Sequence, residues 1–117
     1  MNWLRGAVGS LLAIGITTSA APSPQGIRGE IVDSYCFAVV GVRGPSHSAC
    51  AIRCVKNGVA PIFVESGTRR VFVLTASRDA AALPPELIAQ AGRQVVITGE
   101  IVARGGTNFL SVRSFRR

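Results

Sequence analysis

The sequence has few of the side chains that carry specific chemistry: its 117 residues include one histidine and three cysteines. It also has no glycine-rich phosphate-binding loop, no internal repeat and no coiled-coil heptad pattern. The Cys50–Cys54 segment has neither the spacing nor the following histidine of a c-type haem attachment site. These absences exclude a phosphate-loop nucleotide site, a repeat array and covalent haem binding.

Long hydrophobic runs are also scarce. The apolar run from Ala7 to Ile16 is well short of the roughly 20 residues that span a bilayer. It follows Arg5, and the small residues after it end at Ala20, as expected for a signal-peptidase site. We therefore predict a cleaved signal peptide over residues 1–20, export to the periplasm or beyond, and no stable transmembrane anchor.

The mature chain is predicted to form a single domain over residues 27–117. Residues 21–26 are an exposed, irregular leader, because their proline, serine and glycine content does not continue a helix. A domain of this size is near the lower limit at which a hydrophobic core alone stabilises a fold. A disulfide or a bound metal ion would add stability to such a domain.

Acidic residues are scarce, with six against thirteen basic residues and a net charge of +7. Arg69, Arg70 and Arg113 are therefore candidates for binding an anionic surface or a protein partner, although positive charge also keeps a small exported protein soluble. Aromatic residues are few, which disfavours single-stranded nucleic-acid binding, a function that uses exposed aromatic platforms. Phe109 and Phe115 are predicted to share the solvent side of the last strand with Arg113.

The hydrophobic periodicity predicts a mainly β domain with short helices. One helix is predicted from a cap at Ser46 to about Lys56, and a short one opens at Pro84-Pro85 and closes at Gly92. Strands are predicted at Ile27–Asp33, Pro61–Glu65, Arg70–Thr75, Gln94–Arg104 and Thr107–Phe115. This order matches a five-stranded oligonucleotide/oligosaccharide-binding (OB) barrel, and the alternative is an open α+β sheet.

The fourth strand has the clearest alternation. Val95, Ile97, Ile101 and Ala103 are predicted to face the core, and Gly99 on the same side is predicted to mark a bulge. The Gly-Gly pair at 105–106 then predicts a tight hairpin to the last strand.

The histidine and the three cysteines lie close together in the sequence. His47, Cys50 and Cys54 are spaced i, i+3 and i+7, which places them on one face of the predicted helix. The loop over residues 41–45 can fold Cys36 back onto that face. One imidazole and three sulfurs form a ligand set typical of zinc or Cu(I), so these four residues predict a metal site.

A disulfide is the alternative, because exported proteins meet an oxidising compartment. Cys36 paired with Cys50 or with Cys54 would close the loop and contribute about 3 kcal/mol. A catalytic Cys/His pair is poorly supported, because Asp33 is the only nearby carboxylate and a residue in its position more often accepts turn hydrogen bonds.

The pattern around these residues resembles that of a group of small exported bacterial proteins with an OB-like fold. The resemblance rests on Asp33-x-x-Cys36, His47-x-x-Cys50-Ala51-x-x-Cys54 and the later glycine and valine pattern that ends at Gly105-Gly106. It implies a periplasmic location and a metal or redox role. Arg78 stands where similar proteins often have histidine, so an additional ligand from that strand is not implied.

We therefore interpret the chain as a non-enzymatic exported OB-like domain that binds copper or zinc through Cys36, His47, Cys50 and Cys54. The alternative is a disulfide-stapled, basic interaction module that binds a protein or polyanion without metal. Thiol-redox activity is the one enzymatic possibility that the cysteines support.

Overall fold

Five β-strands dominate the computed structural model, which describes residues 15–18 and 26–117. The strands are β1 Gly26–Asp33, β2 Pro61–Glu65, β3 Val71–Ala76, β4 Gln94–Arg104 and β5 Thr107–Arg116. The helices are α1 Ser48–Lys56 and α2 Pro85–Ile88, with a π-helical turn at Cys36–Val40 and a 3-10 turn at Pro45–His47. The prediction of a mainly β chain with short helices is confirmed.

The predicted signal peptide and leader lie outside the described residues, except for residues 15–18 and Gly26. Residues 15–18 are exposed and have no regular secondary structure, and Gly26 is the first residue of β1. Among the described residues, no helix has the length and hydrophobicity needed to cross a membrane.

The five strands form one closed sheet in the order β1-β2-β3-β5-β4. The first half of β1 pairs with β4, and its second half pairs with β2, so β1 closes the sheet. All pairings are antiparallel except that of β3 with β5, which is parallel. Closure means that the open α+β alternative is wrong.

The core fills the inside of this closed sheet with side chains from every strand. Phe63 of β2 and Phe72 of β3 are fully buried there. Leu87 from α2 and Ala51 from α1 join the same cluster. Because α1 contributes to this core, the face of α1 that carries the site residues has a fixed position relative to the sheet.

The predicted bulge at Gly99 is confirmed, and it changes which side chains of β5 face inward. Thr98 pairs with Ser114 but Gly99 pairs with Val112, so Arg113 is an extra residue in β5. Before Arg113 the even-numbered side chains Leu110 and Val112 face the core, and after it the odd-numbered Phe115 packs against the core. The prediction that Phe115 lies on the solvent side is wrong for this reason.

The end of β4 does not face the core as the alternation predicted. Ile101 is 43% exposed and Ala103 is exposed. The pairing explains this, because β4 contacts β1 only through residues 94–98 and continues as a two-stranded hairpin with β5. Only Val95 and Ile97 of the predicted inward set are buried hydrophobic side chains.

Helix α1 starts later than predicted but ends as predicted. His47 occupies the cap position, and Ser46 lies in the preceding 3-10 turn without capping the helix. At the other end, Gly58 has a φ of +96°, its N–H donates to Val55 O at 3.0 Å, and the N–H of Val59 donates to Cys54 O at 3.0 Å. These bonds form a Schellman motif, which fixes the end of α1.

Candidate metal centre

The long connection between β1 and β2 carries all four predicted ligands. Cys36 is the first residue of the π-helical turn that follows β1, and His47 precedes α1. Cys50 and Cys54 lie one turn apart within α1. The turn thus reverses the chain soon after β1, and the helix presents its cysteines to the residues at the end of that strand.

Buried polar contacts hold the part of this connection that leads into α1. The buried carboxylate of Glu30 accepts a hydrogen bond from the N–H of Gly44 and lies 3.9 Å from Arg43 Nη1. The hydroxyl of Ser48 donates to Ala91 O at 2.6 Å, which joins the start of α1 to the segment after α2. These contacts fix the position of His47 between them.

The predicted ligands meet in space. One donor atom each from Cys36, His47 and Cys50 lies within 4.8 Å of the others. Cys50 Sγ and Cys54 Sγ are 4.0 Å apart. The sulfurs of Cys36 and Cys54 also lie within 4.8 Å of each other, in a second group that includes Asp33. Tetrahedral zinc with bonds of about 2.3 Å to sulfur places its sulfurs roughly 3.8 Å apart. The three sulfurs are therefore spaced for a single ion of this kind.

Asp33 belongs to the same cluster, although the sequence analysis did not include it among the ligands. Its side chain is fully buried, and Oδ1 accepts a hydrogen bond from the N–H of Cys36 at 2.8 Å. Oδ2 lies 3.7 Å from His47 Nε2, and within residues 26–117 neither of these two buried atoms has a hydrogen-bond partner. The Asp33-x-x-Cys36 spacing was the available signal, and it predicted only the turn hydrogen bond.

The surroundings favour the protonated forms of two thiols. Burial raises the pKa of Cys36 to about 12, and the nearby Asp33 carboxylate adds to the increase. Burial also raises the pKa of Cys54, together with its contact to the Cys50 thiol and the charge of Asp33. A cation that binds these sulfurs as thiolates would release their protons and compensate the negative charge that Asp33 adds.

All three cysteines are free thiols in the part of the chain that the structure describes. The sulfur atoms of Cys50 and Cys54 are 4.0 Å apart, about twice the length of a disulfide bond. Arg53 Nη2 lies 3.7 Å from Cys50 Sγ and adds a positive charge at the exposed side of the cluster. A disulfide from Cys36 to Cys50 or Cys54 stays a prediction.

The three predicted anion-binding arginines have different surroundings. Arg70 Nε lies 2.7 Å from Glu65 Oε2, and the Arg70 guanidinium stacks 5.3 Å above the centre of the Phe72 ring. Arg113 Nη2 lies 3.8 Å from Glu100 Oε2. Arg69 lines a polar cavity of about 560 Å³. The positive charges of Arg70 and Arg113 are thus partly neutralised by neighbouring carboxylates.

Comparison of the chain with protein-family models, curated proteins and solved structures found no match. The function is therefore argued from the chemistry of the cysteine and histidine cluster.

Proposed function

We propose that the protein is an exported, non-enzymatic domain of OB type that binds a thiophilic metal ion, copper or zinc. Cys36, His47, Cys50 and Cys54 are the proposed ligands. The observation that carries the proposal is the spacing of the three sulfurs and one imidazole, all drawn from one connection of the fold.

A second observation argues against the alternative that the thiols lie close together without a common function. Asp33 Oδ2 and His47 Nε2 are buried polar atoms without partners among the described residues, and unpaired buried polar atoms are rare in folded proteins. A ring nitrogen of His47 lies within 4.8 Å of the sulfurs of Cys36 and Cys50, and a carboxylate oxygen of Asp33 lies as close to those of Cys36 and Cys54. A positive ion among the thiolates gives the buried carboxylate of Asp33 a favourable charge partner.

The proposed OB assignment and export have separate support. The strand order, with β1 closing the sheet and β3 parallel to β5, agrees with a five-stranded Greek-key barrel. Export rests on the signal-like sequence of residues 1–20 and on the resemblance to small exported bacterial proteins. In an oxidising compartment, a bound metal would also protect the thiolates from oxidation.

Metal analysis of the mature chain tests the proposal. The chain is reduced, loaded with zinc or Cu(I), passed through a desalting column and analysed for metal and for thiols. We expect one ion per chain and three thiols that react slowly until a chelator removes the ion. Serine at Cys36, Cys50 or Cys54 should abolish stoichiometric retention, because each substitution removes a sulfur ligand.

Tyr35→Phe is the matched control, because Tyr35 directly precedes Cys36 but is exposed and is not one of the proposed ligands. It should retain metal like the unsubstituted chain. A reduced, folded chain that retains neither metal would refute the proposed function. One disulfide and one free thiol in protein isolated from the periplasm, with no bound metal, would favour the stapled interaction module instead.

A further inference from the structure

We infer that Asp33 is a positioning residue that orients His47 to bind metal through Nδ1, and that this pair makes the site selective for zinc over Cu(I). The inference rests on the proposed metal-binding function and specifies its ligand. It is carried by one pair of atoms, Asp33 Oδ2 and His47 Nε2, which face each other at 3.7 Å.

The two atoms are complementary. Both are buried, and neither has another hydrogen-bond partner within the described part of the chain. The distance of 3.7 Å exceeds a hydrogen bond by about 0.7 Å, so a small tilt of the ring joins them. If Nε2 carries the proton, it donates to Oδ2 and satisfies both atoms at once. The lone pair of the imidazole is then on Nδ1, which leaves that atom to bind the metal.

Asp33 is suited to this role because its carboxylate is anchored. Oδ1 accepts the N–H of Cys36 at 2.8 Å, which holds the carboxylate at the end of β1 and leaves Oδ2 directed to the ring. The same side chain therefore fixes the backbone of one sulfur ligand and the ring of the nitrogen ligand. A carboxylate that accepts the second N–H of a ligating histidine also increases the basicity of the ring as a metal ligand.

The fourth ligand matters more for zinc than for Cu(I). Zinc in structural sites takes four ligands in a tetrahedron and accepts both nitrogen and sulfur. Cu(I) prefers soft sulfur ligands, and three thiolates satisfy it without an imidazole. The three sulfurs of the cluster are available to either ion, so His47 held by Asp33 adds affinity selectively for zinc.

Asp33→Asn separates the two functions of the carboxylate. The asparagine carbonyl can still accept the N–H of Cys36, but its amide group replaces the acceptor that faces His47 Nε2. We expect the zinc affinity, measured by competition with a chromophoric chelator, to fall by about 10–100-fold. The Cu(I) affinity should stay within about threefold of the unsubstituted chain, and His47→Ala should show the same selective loss.

Long-range nitrogen–proton NMR on the unsubstituted, zinc-loaded chain provides a test that does not depend on a variant folding. The spectrum should show a protonated Nε2 and a metal-bound Nδ1. Tyr35→Phe controls for local perturbation, and amide spectra of each variant report whether it is folded.

Several results would overturn the inference while leaving the proposed function intact. These are zinc bound through Nε2, zinc bound directly by Asp33, equal losses of zinc and Cu(I) affinity in Asp33→Asn, or a chain that binds Cu(I) but not zinc. A chain that binds neither ion would overturn the inference together with the proposed function.

Discussion

Asp33 illustrates what a single residue's sequence context can and cannot predict. Its position three residues before Cys36 predicted a turn hydrogen bond, and Oδ1 makes that bond at 2.8 Å. The environment of Oδ2 depends on His47, which lies in the same connection whose Gly44 N–H is bonded to Glu30. That second contact is tertiary, so the spacing of neighbouring residues did not predict it.

The positions of Cys50 and Cys54 were predictable because both lie on one face of α1, whereas His47 lies at the cap before the helix and not within it as predicted. The i, i+4 spacing of the two cysteines fixes their relative directions once α1 forms. Their protonation was less predictable, because it depends on how deeply each thiol is buried in the folded chain. Burial dominates for Cys36 and raises its pKa to about 12.

Glu65 gives a residue-level prediction for the pH dependence of stability. The pKa of Glu65 is lowered mainly by its hydrogen bonds from Arg70, with a further bond from Thr68. Its folded pKa is below its unfolded value, so its contribution to the free energy of unfolding is present above the unfolded pKa. The contribution is lost as the pH falls through the folded pKa.

We therefore expect Glu65→Gln to destabilise the protein at about pH 7 by less than about 1 kcal/mol, since Arg70 is 52% exposed. The difference should vanish in urea unfolding curves recorded below the folded pKa. Glu100→Gln is the comparison, because its partner Arg113 is 3.8 Å away and both side chains are largely exposed. A Glu65→Gln difference that persists at low pH would contradict this interpretation.

At the scale of elements, local patterns predicted the strand boundaries to within one residue, but α2 ends at Ile88 and not at Gly92 as predicted. The bounds of β2 and β4 agree with the prediction, and β3 is displaced by one residue. The errors follow from contacts between elements. Phe115 faces inward because β5 has an extra residue at the bulge. Ile101 is exposed because it lies beyond residues 94–98, the part of β4 that pairs with β1.

The start of α1 offers a test at this scale. Ser48→Ala removes the hydrogen bond to Ala91 O and leaves that buried carbonyl without its side-chain donor. We expect the free energy of unfolding to fall by about 1–2 kcal/mol in urea titrations.

Ser46→Ala is the matched control, since Ser46 is exposed in the 3-10 turn and makes no capping bond to α1. Its stability should stay within about 0.5 kcal/mol of the unsubstituted chain. A larger loss in Ser46→Ala than in Ser48→Ala would restore Ser46 as the cap and contradict the observed start of the helix.

For the whole molecule, the proposed site joins the end of β1 to the π-helical turn and α1. A metal ion bound only by the folded chain adds about 2.7 kcal/mol at a free concentration one hundred times its Kd. We expect zinc to raise the Tm of the reduced mature chain by roughly 10–20 °C, as measured by circular dichroism.

A chelator should reverse the increase, and a chain with serine at both Cys50 and Cys54 should show none. An equal zinc-dependent increase in that double variant would place the stabilising ion elsewhere on the molecule.

The parallel pairing of β3 with β5 has a consequence for the order of folding. Val73 pairs with Phe109, so this part of the sheet forms only when the last strand arrives across a long stretch of chain, and such non-local pairing is slow. The donor groups from Asp33 to Cys54 lie in one short segment, whose loop closes much faster. The β1–α1 region therefore comes together before β3 pairs with β5, and an ion that needs the complete folded site binds only after both steps.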